Sequence, residues 1–151
     1  MNYWMLVSSP ENFEISRNLG FELAGMKSRH RKKAIEVNVG DKIVFYMTKI
    51  GCFGGTAKVV SAFYEDSKKI WLSDKPDEVY PFRFKIKPEV ILDSSDFVRS
   101  DVVGQNMEYT KKWPKEHWKL AFQGNVHRLP EHDYLLIKKT LEIAKNDYII
   151  K

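Results

Sequence analysis

Chemistry in this chain has to come from four histidines, one cysteine and a set of aromatic, amide and cationic side chains. His30, His117, His127 and His132 fall at no metal-ligand spacing, and the last two are five apart across Pro130. No metal site and no cofactor is expected. Cys52 lies among glycines, in Gly51-Cys52-Phe53-Gly54-Gly55. Nothing beside it except Lys49 would lower a thiol pKa, so it reads as a small loop or core residue rather than a nucleophile. The hydrolase elbow, the phosphate-binding Walker loop and the dinucleotide fingerprint are absent. Glu65-Asp66 and Asp74 with Asp77 sit in polar turns and read as solvated carboxylates, not an acid/base dyad. The positive signal is Trp4, Tyr46, Phe53, Tyr80, Phe82, Trp113 and Trp118 accompanied by Arg29, Lys49, Arg83 and Gln123. Aromatic faces stack an unpaired base while an amide or guanidinium reads its edge. Each aromatic taken alone serves equally as core.

These groups need a frame. The centre of it is Gly40 to Tyr64: a Gly-Asp turn, the apolar run Ile43–Met47, a glycine-broken loop from Lys49 to Gly55, and a second run from Thr56 to Tyr64. β-Branched and aromatic residues make the two runs a hairpin. Three glycines around Phe53 imply a close approach to the backbone there. Asn2–Val7 reads as a first strand. Ser9-Pro10-Glu11 starts a short helix that ends near Gly20, with Ser9 as cap. Lys27-Ser28-Arg29-His30-Arg31-Lys32-Lys33 has no apolar period and reads as a basic loop, either a solvated charge run or a phosphate contact. Ile70-Trp71-Leu72 is a short strand or a loop anchored by its tryptophan. Tyr80–Ile86 alternates as a strand that Pro88 interrupts, and Val90-Ile91-Leu92 continues beyond it. Asp93–Gln105 reads as short helix and loop, and Pro114–Phe122 as a helix closed by Gly124. Pro130–Lys145 carries Ile137, Leu141 and Ala144 on one face and is the strongest helix signal.

Short strands with small helices between them and a helix at the end predict an α+β chain: a mostly antiparallel, partly closed barrel with peripheral helices. At 151 residues it reads as one domain, residues 1–145, with a tail at 146–151. Lys and Arg exceed Asp and Glu by five, a balance compatible with a polyanionic partner. A single cysteine excludes an intramolecular disulfide, and the apolar start is too short for a leader or a membrane span. A cytoplasmic setting is the expectation.

Ordered short motifs then resemble the EVE-domain family. They are Asn2–Pro10 with its Tyr3-Trp4 strand and Ser-x-Pro, Gly20-Phe21, and Val39–Tyr46 with Gly-Asp-x-hydrophobic. Phe53–Val59, Tyr80-Pro81-Phe82-Arg83 and Phe122-Gln123-Gly124 before Leu-Pro-Glu-His-Asp-Tyr complete the set. The basic loop and Ser94–Lys112 match nothing in the pattern. The resemblance implies a PUA-like pseudo-barrel related to YTH domains, and a non-enzymatic module holding a modified base of DNA or RNA. It implies a pocket with Trp4, Ser8 and Ser9 at its mouth, Tyr46, Phe53, Gly54 and Tyr80 as walls or lid, Arg83 as a cation and Gln123 as an amide. Trp4 is equally placed as core and Arg83 as a structural ion pair. On this reading Lys27, Arg29, Arg31, Lys32 and Lys33 contact phosphates. The alternative is an enzyme or regulator acting on a nucleotide or small anionic ligand in the same pocket.

Overall fold

The computed structural model describes residues 1–150, and Lys151 lies outside them. Six strands form one sheet path: β2 (Leu23–Met26), β6 (Phe82–Ile91), β4 (Cys52–Val59), β3 (Lys42–Met47), β1 (Tyr3–Ser8) and β8 (Val126–Leu129). The two-residue strands β5 (Tyr64–Glu65) and β7 (Val98–Arg99) pair with β6 and β4. All neighbours on the path are antiparallel except β1 and β3. The α+β half-barrel is the predicted class, and the β2 strand was not predicted.

Alternation along the central strands splits the core in two. Trp4, Leu6, Ile43, Phe45 and Met47 join one cluster, which takes Phe13 from α1 (Pro10–Asn18). Met5, Val44 and Tyr46 join the other, with Tyr134, Ile137 and Leu141 from α3 (Glu131–Ile150). Helix α3 runs on past Lys145. Turns of 3₁₀ helix between Ser94 and Phe122, kinked at His117, cap this second cluster with Val103, Met107 and Phe122. The segment predicted as a helix over 114–122 is therefore 3₁₀.

Two glycine and proline signals resolve differently from the sequence reading. The loop of the central hairpin is short, and β4 begins at Cys52, so Gly54 and Gly55 are strand residues. A Cβ on Gly54 would lie 2.7 Å from Met47 Cε and 2.8 Å from Phe13 Cζ, and one on Gly55 would lie 2.8 Å from the Val90 carbonyl. Neighbours in the core, not a ligand, make the close approach. Pro88 does not interrupt β6, because a register shift between Thr56 and Ala57 of β4 absorbs the missing donor. The basic run is a 3₁₀ turn (Ser28–His30) followed by α2 (Arg31–Glu36), a helix that buries only Ala34.

Candidate functional site

Strand β1 ends at Ser8, and Ser9 caps α1 by accepting from the Asn12 amide at 3.0 Å. This junction forms one side of a cleft of about 890 Å³. Lys27, Ser28 and Arg29 form a second side, Thr48 and Lys49 a third, and Leu72–Lys75 with Glu78 and Tyr80 the last. It adjoins a smaller cavity, an annex of about 50 Å³, walled by Leu6, Phe13, Phe45, Trp71 and Tyr80. Val7, Ser8, Asn12 and Tyr80 line both spaces. The rim is cationic and acidic together, while the annex is aromatic.

The long segment from Val60 to Pro81 carries Trp71 and Tyr80 and has almost no regular structure, so side chains must hold it. Asn12 grips Leu72 as a peptide would: its Oδ1 accepts from the Leu72 amide at 2.7 Å and its Nδ2 donates to the Leu72 carbonyl at 2.9 Å. The Trp71 indole donates to Ser16 Oγ at 2.9 Å. Arg83, 1% exposed, donates from Nε to the Tyr80 carbonyl at 3.2 Å and from Nη2 to the Val79 carbonyl at 3.0 Å and to the Lys68 carbonyl. Its guanidinium stacks on Trp71 at 5.5 Å and faces Asp66 at 3.4 Å. Lys85, two residues on along the same strand, is exposed, but the Val60–Pro81 segment folds over Arg83 and buries it.

Tyr80 is held in the left-handed region at φ 52°, which a bulky residue adopts only when its surroundings enforce it. Glu78 accepts from the Tyr80 amide at 3.0 Å, so both backbone polar groups of Tyr80 are fixed by charged side chains. The ring stands edge-on to Trp71 at 5.8 Å, and its hydroxyl donates to the Leu72 carbonyl at 3.2 Å. Burial raises the phenol pKa.

The structure brings together Ser8, Ser9, Tyr80, Lys27 and Arg29 from the residues singled out in the sequence. Trp4, expected to share a cavity with Tyr46 and Phe53, lies in a different core cluster from them. Trp4 is buried in the first cluster, its indole donating to Asp41 at 3.0 Å. Tyr46 and Phe53 pack at 5.0 Å in the second cluster, on the other face of the sheet. Gly54 meets Phe13 and Met47, Arg83 lies behind Trp71, and Gln123 is exposed beyond the 3₁₀ turn while Asn125 lines the cleft. Arg31 and Lys32 are exposed on α2 and line neither space. Lys33 instead donates to the Val126 carbonyl at 2.7 Å, across the outer edge of β8. Sequence reasoning missed Asn12, Leu72 and the part Trp71 plays. The available signal was a lone tryptophan in a polar stretch.

His30 sits among the cations. Burial first, then Arg29, Lys33 and Lys27, push it down to about 4. The ring is neutral at pH 7, and its contribution to stability is present above 6.5 and lost as pH falls through 4. A polyanion on Lys27 and Arg29 offsets those cations. The ¹H NMR titration of the His30 Cε1 proton therefore shifts to higher pH when a single-stranded oligonucleotide is added, and an unshifted midpoint contradicts phosphate contact here.

Among the described residues, no cluster of His, Cys, Asp and Glu could hold a metal ion, and no helix is long and apolar enough to cross a membrane. Burial raises the Cys52 thiol pKa, which opposes a nucleophilic role.

The EVE domain family model matches residues 2–140. A UPF0310 protein of Pyrococcus abyssi is 31% identical over 150 residues, covering 93% of this chain and 100% of that protein. Among solved structures, the YTH domain-containing protein mmi1 in an RNA complex superposes with a TM-score of 0.68 at 11% identity, covering 99% of this chain and 87% of that one. The YTH domain of a Zygosaccharomyces rouxii protein in complex with N6-methyladenosine RNA gives 0.66 at 19% identity, covering 93% and 86%. At these identities the likeness shows a shared fold.

Proposed function

The chain belongs to the EVE-domain family, and from that premise we propose that it is a non-enzymatic reader that captures a modified base of a nucleic acid in the Ser8–Tyr80 cleft. One observation carries the reading: a cleft of base-holding size, rimmed by Lys27, Arg29, Lys49 and Lys75, adjoins an aromatic annex. The annex is too small for a base and large enough for a small substituent on one. The base rests against Tyr80 and Leu72, the substituent enters between Phe13, Phe45 and Trp71, and the rim cations take the phosphates. A base entering this way must be unstacked, at about a few kcal/mol, which stacking of about 1–3 kcal/mol per base offsets. That the solved YTH neighbours include an RNA complex and an N6-methyladenosine RNA complex supports RNA as the first polymer to test.

The test is a panel of single-stranded oligonucleotides, each carrying one modified base and paired with its unmodified twin, titrated at two salt concentrations. At least one modification is preferred at both concentrations. Lys27→Ala weakens binding and reduces the log–log salt slope by about 0.7, the value of one single-strand phosphate contact. Equal binding of every twin contradicts the reading. Conversion of the oligonucleotide, seen by mass spectrometry, replaces it with an enzyme.

A further inference from the structure

We infer that Glu78 is a positioning residue that ties phosphate capture to base capture, by fixing the Lys27–Arg29 turn and the Tyr80 wall to one carboxylate. The inference rests on the reader function proposed above. Its basis is geometric. Glu78 Oε1 and Oε2 accept from the Ser28 amide at 3.1 and 3.2 Å, and Oε2 also accepts from Ser28 Oγ at 3.0 Å and from the Tyr80 amide at 3.0 Å. Ser28 lies between the two cations that face the cleft, and Tyr80 is its aromatic wall. The two segments are far apart in sequence; Glu78 joins them by hydrogen bonds, beside the Lys27 ammonium that lies 5.9 Å from the Tyr80 ring centroid.

Tyr80 gives the link a consequence. Its left-handed backbone is a costly state that persists only while both ends are clamped. Arg83 clamps the carbonyl from inside the core, and Glu78 clamps the amide from the cleft side. Of the two, only Glu78 also reaches the basic turn. A phosphate that draws Lys27 and Arg29 toward itself moves Ser28, and so bears on the wall against which the base rests. Phosphate contact then alters the preference for the base and not only the overall affinity.

Protonation of Glu78 breaks the link. Burial raises its pKa, but the Tyr80 and Ser28 amides and the Ser28 hydroxyl outweigh burial and hold it below 4.5. His30 and the Tyr80 phenol feel its charge, and Lys27, Arg29, Asp74 and Lys75 line the same cleft. With a depressed folded pKa, the link is intact above 4.5 and is lost as pH falls through the lower folded value. His30 titrates close by, and its own Cε1 resonance separates the two events.

The experiment has one arm that needs no ligand. In wild-type protein the Ser28 and Tyr80 amide resonances shift with pH at one shared midpoint below 4.5, and in Glu78→Gln the Tyr80 shift disappears. Independent midpoints, or a Tyr80 shift that persists in Glu78→Gln, overturn the proposal. The second arm uses the N6-methyladenosine RNA strand and its unmodified twin. Glu78→Gln lowers the preference ratio about tenfold, as for coupled groups in contact, and lowers it less than twofold in a Tyr80→Gly background. Equal losses in both backgrounds show that Glu78 does not act through Tyr80 and also overturn it. If the wild type prefers neither strand, the reader reading fails for this modification, and the amide titration decides the linkage alone.

Discussion

Arg83→Met unfolds the cleft wall before it unfolds the protein. The substitution keeps an apolar stem against Trp71 but removes every donor, so the carbonyls of Lys68, Val79 and Tyr80 lose their shared partner. The three acceptors are part-buried, and at about 1 kcal/mol each, the low end of the cost of an unpaired acceptor, the loss is about 3 kcal/mol in total. Asp66 is 45% exposed and remains solvated, so it adds little to the loss. A domain of this length should melt roughly 10 °C lower. Because the guanidinium holds only the Val60–Pro81 segment, hydrogen exchange at the amides of Lys68–Tyr80 accelerates first, while β3 and β4 stay protected. Uniform acceleration across the sheet would instead make Arg83 a general core residue. Arg83→Lys does not rescue, because an ammonium cannot present the planar fork that reaches three carbonyls.

Tyr80→Gly separates binding from stability. Glycine takes φ 52° without strain, so the variant recovers about 1 kcal/mol at the backbone while losing the ring's edge contact with Trp71 and its hydroxyl bond to Leu72. Thermal stability therefore changes by roughly 1 kcal/mol or less, in either direction. The modified strand, however, loses its stacking surface and about 1–3 kcal/mol of affinity, a drop of roughly 5- to 150-fold. Isothermal titration with calorimetric melting reads both numbers on the same preparation. A variant that melts early and binds normally would place Tyr80 in the fold and not in the site.

The sequence carried much of the frame. The Ser9 cap, the Gly40-Asp41 turn, the Ile43–Met47 run and the α3 stripe are local signals and formed the elements they predicted, whereas the run predicted over Thr56–Tyr64 ends as a strand at Val59 and begins earlier, at Cys52. The lining of the cleft was legible only where local chemistry marks it: Ser8 and Ser9 at a strand-to-helix junction, and Lys27 and Arg29 in a basic turn. Aromatic residues carry no such mark. Phe53 beside glycines has the same local appearance whether it faces a ligand or Phe122, and only sheet pairing decides. The sequence leaves Arg83 open between a pocket cation and a structural ion pair, and its surroundings favour the second. Its alternation with Phe82 and Phe84 is correct for the strand, but the burial of its face depends on the distant segment that closes over it.

The most direct measurement is where a bound base touches the protein. Chemical-shift mapping with the preferred modified oligonucleotide should move the Trp71 indole N–H and the backbone amides of Ser8, Asn12, Leu72 and Tyr80. The indole of Trp4 and the amide of Phe53 should stay in place, since both side chains lie in the core. Perturbation confined to the exposed Lys111–Lys119 stretch around Trp113, with the cleft silent, would contradict the account.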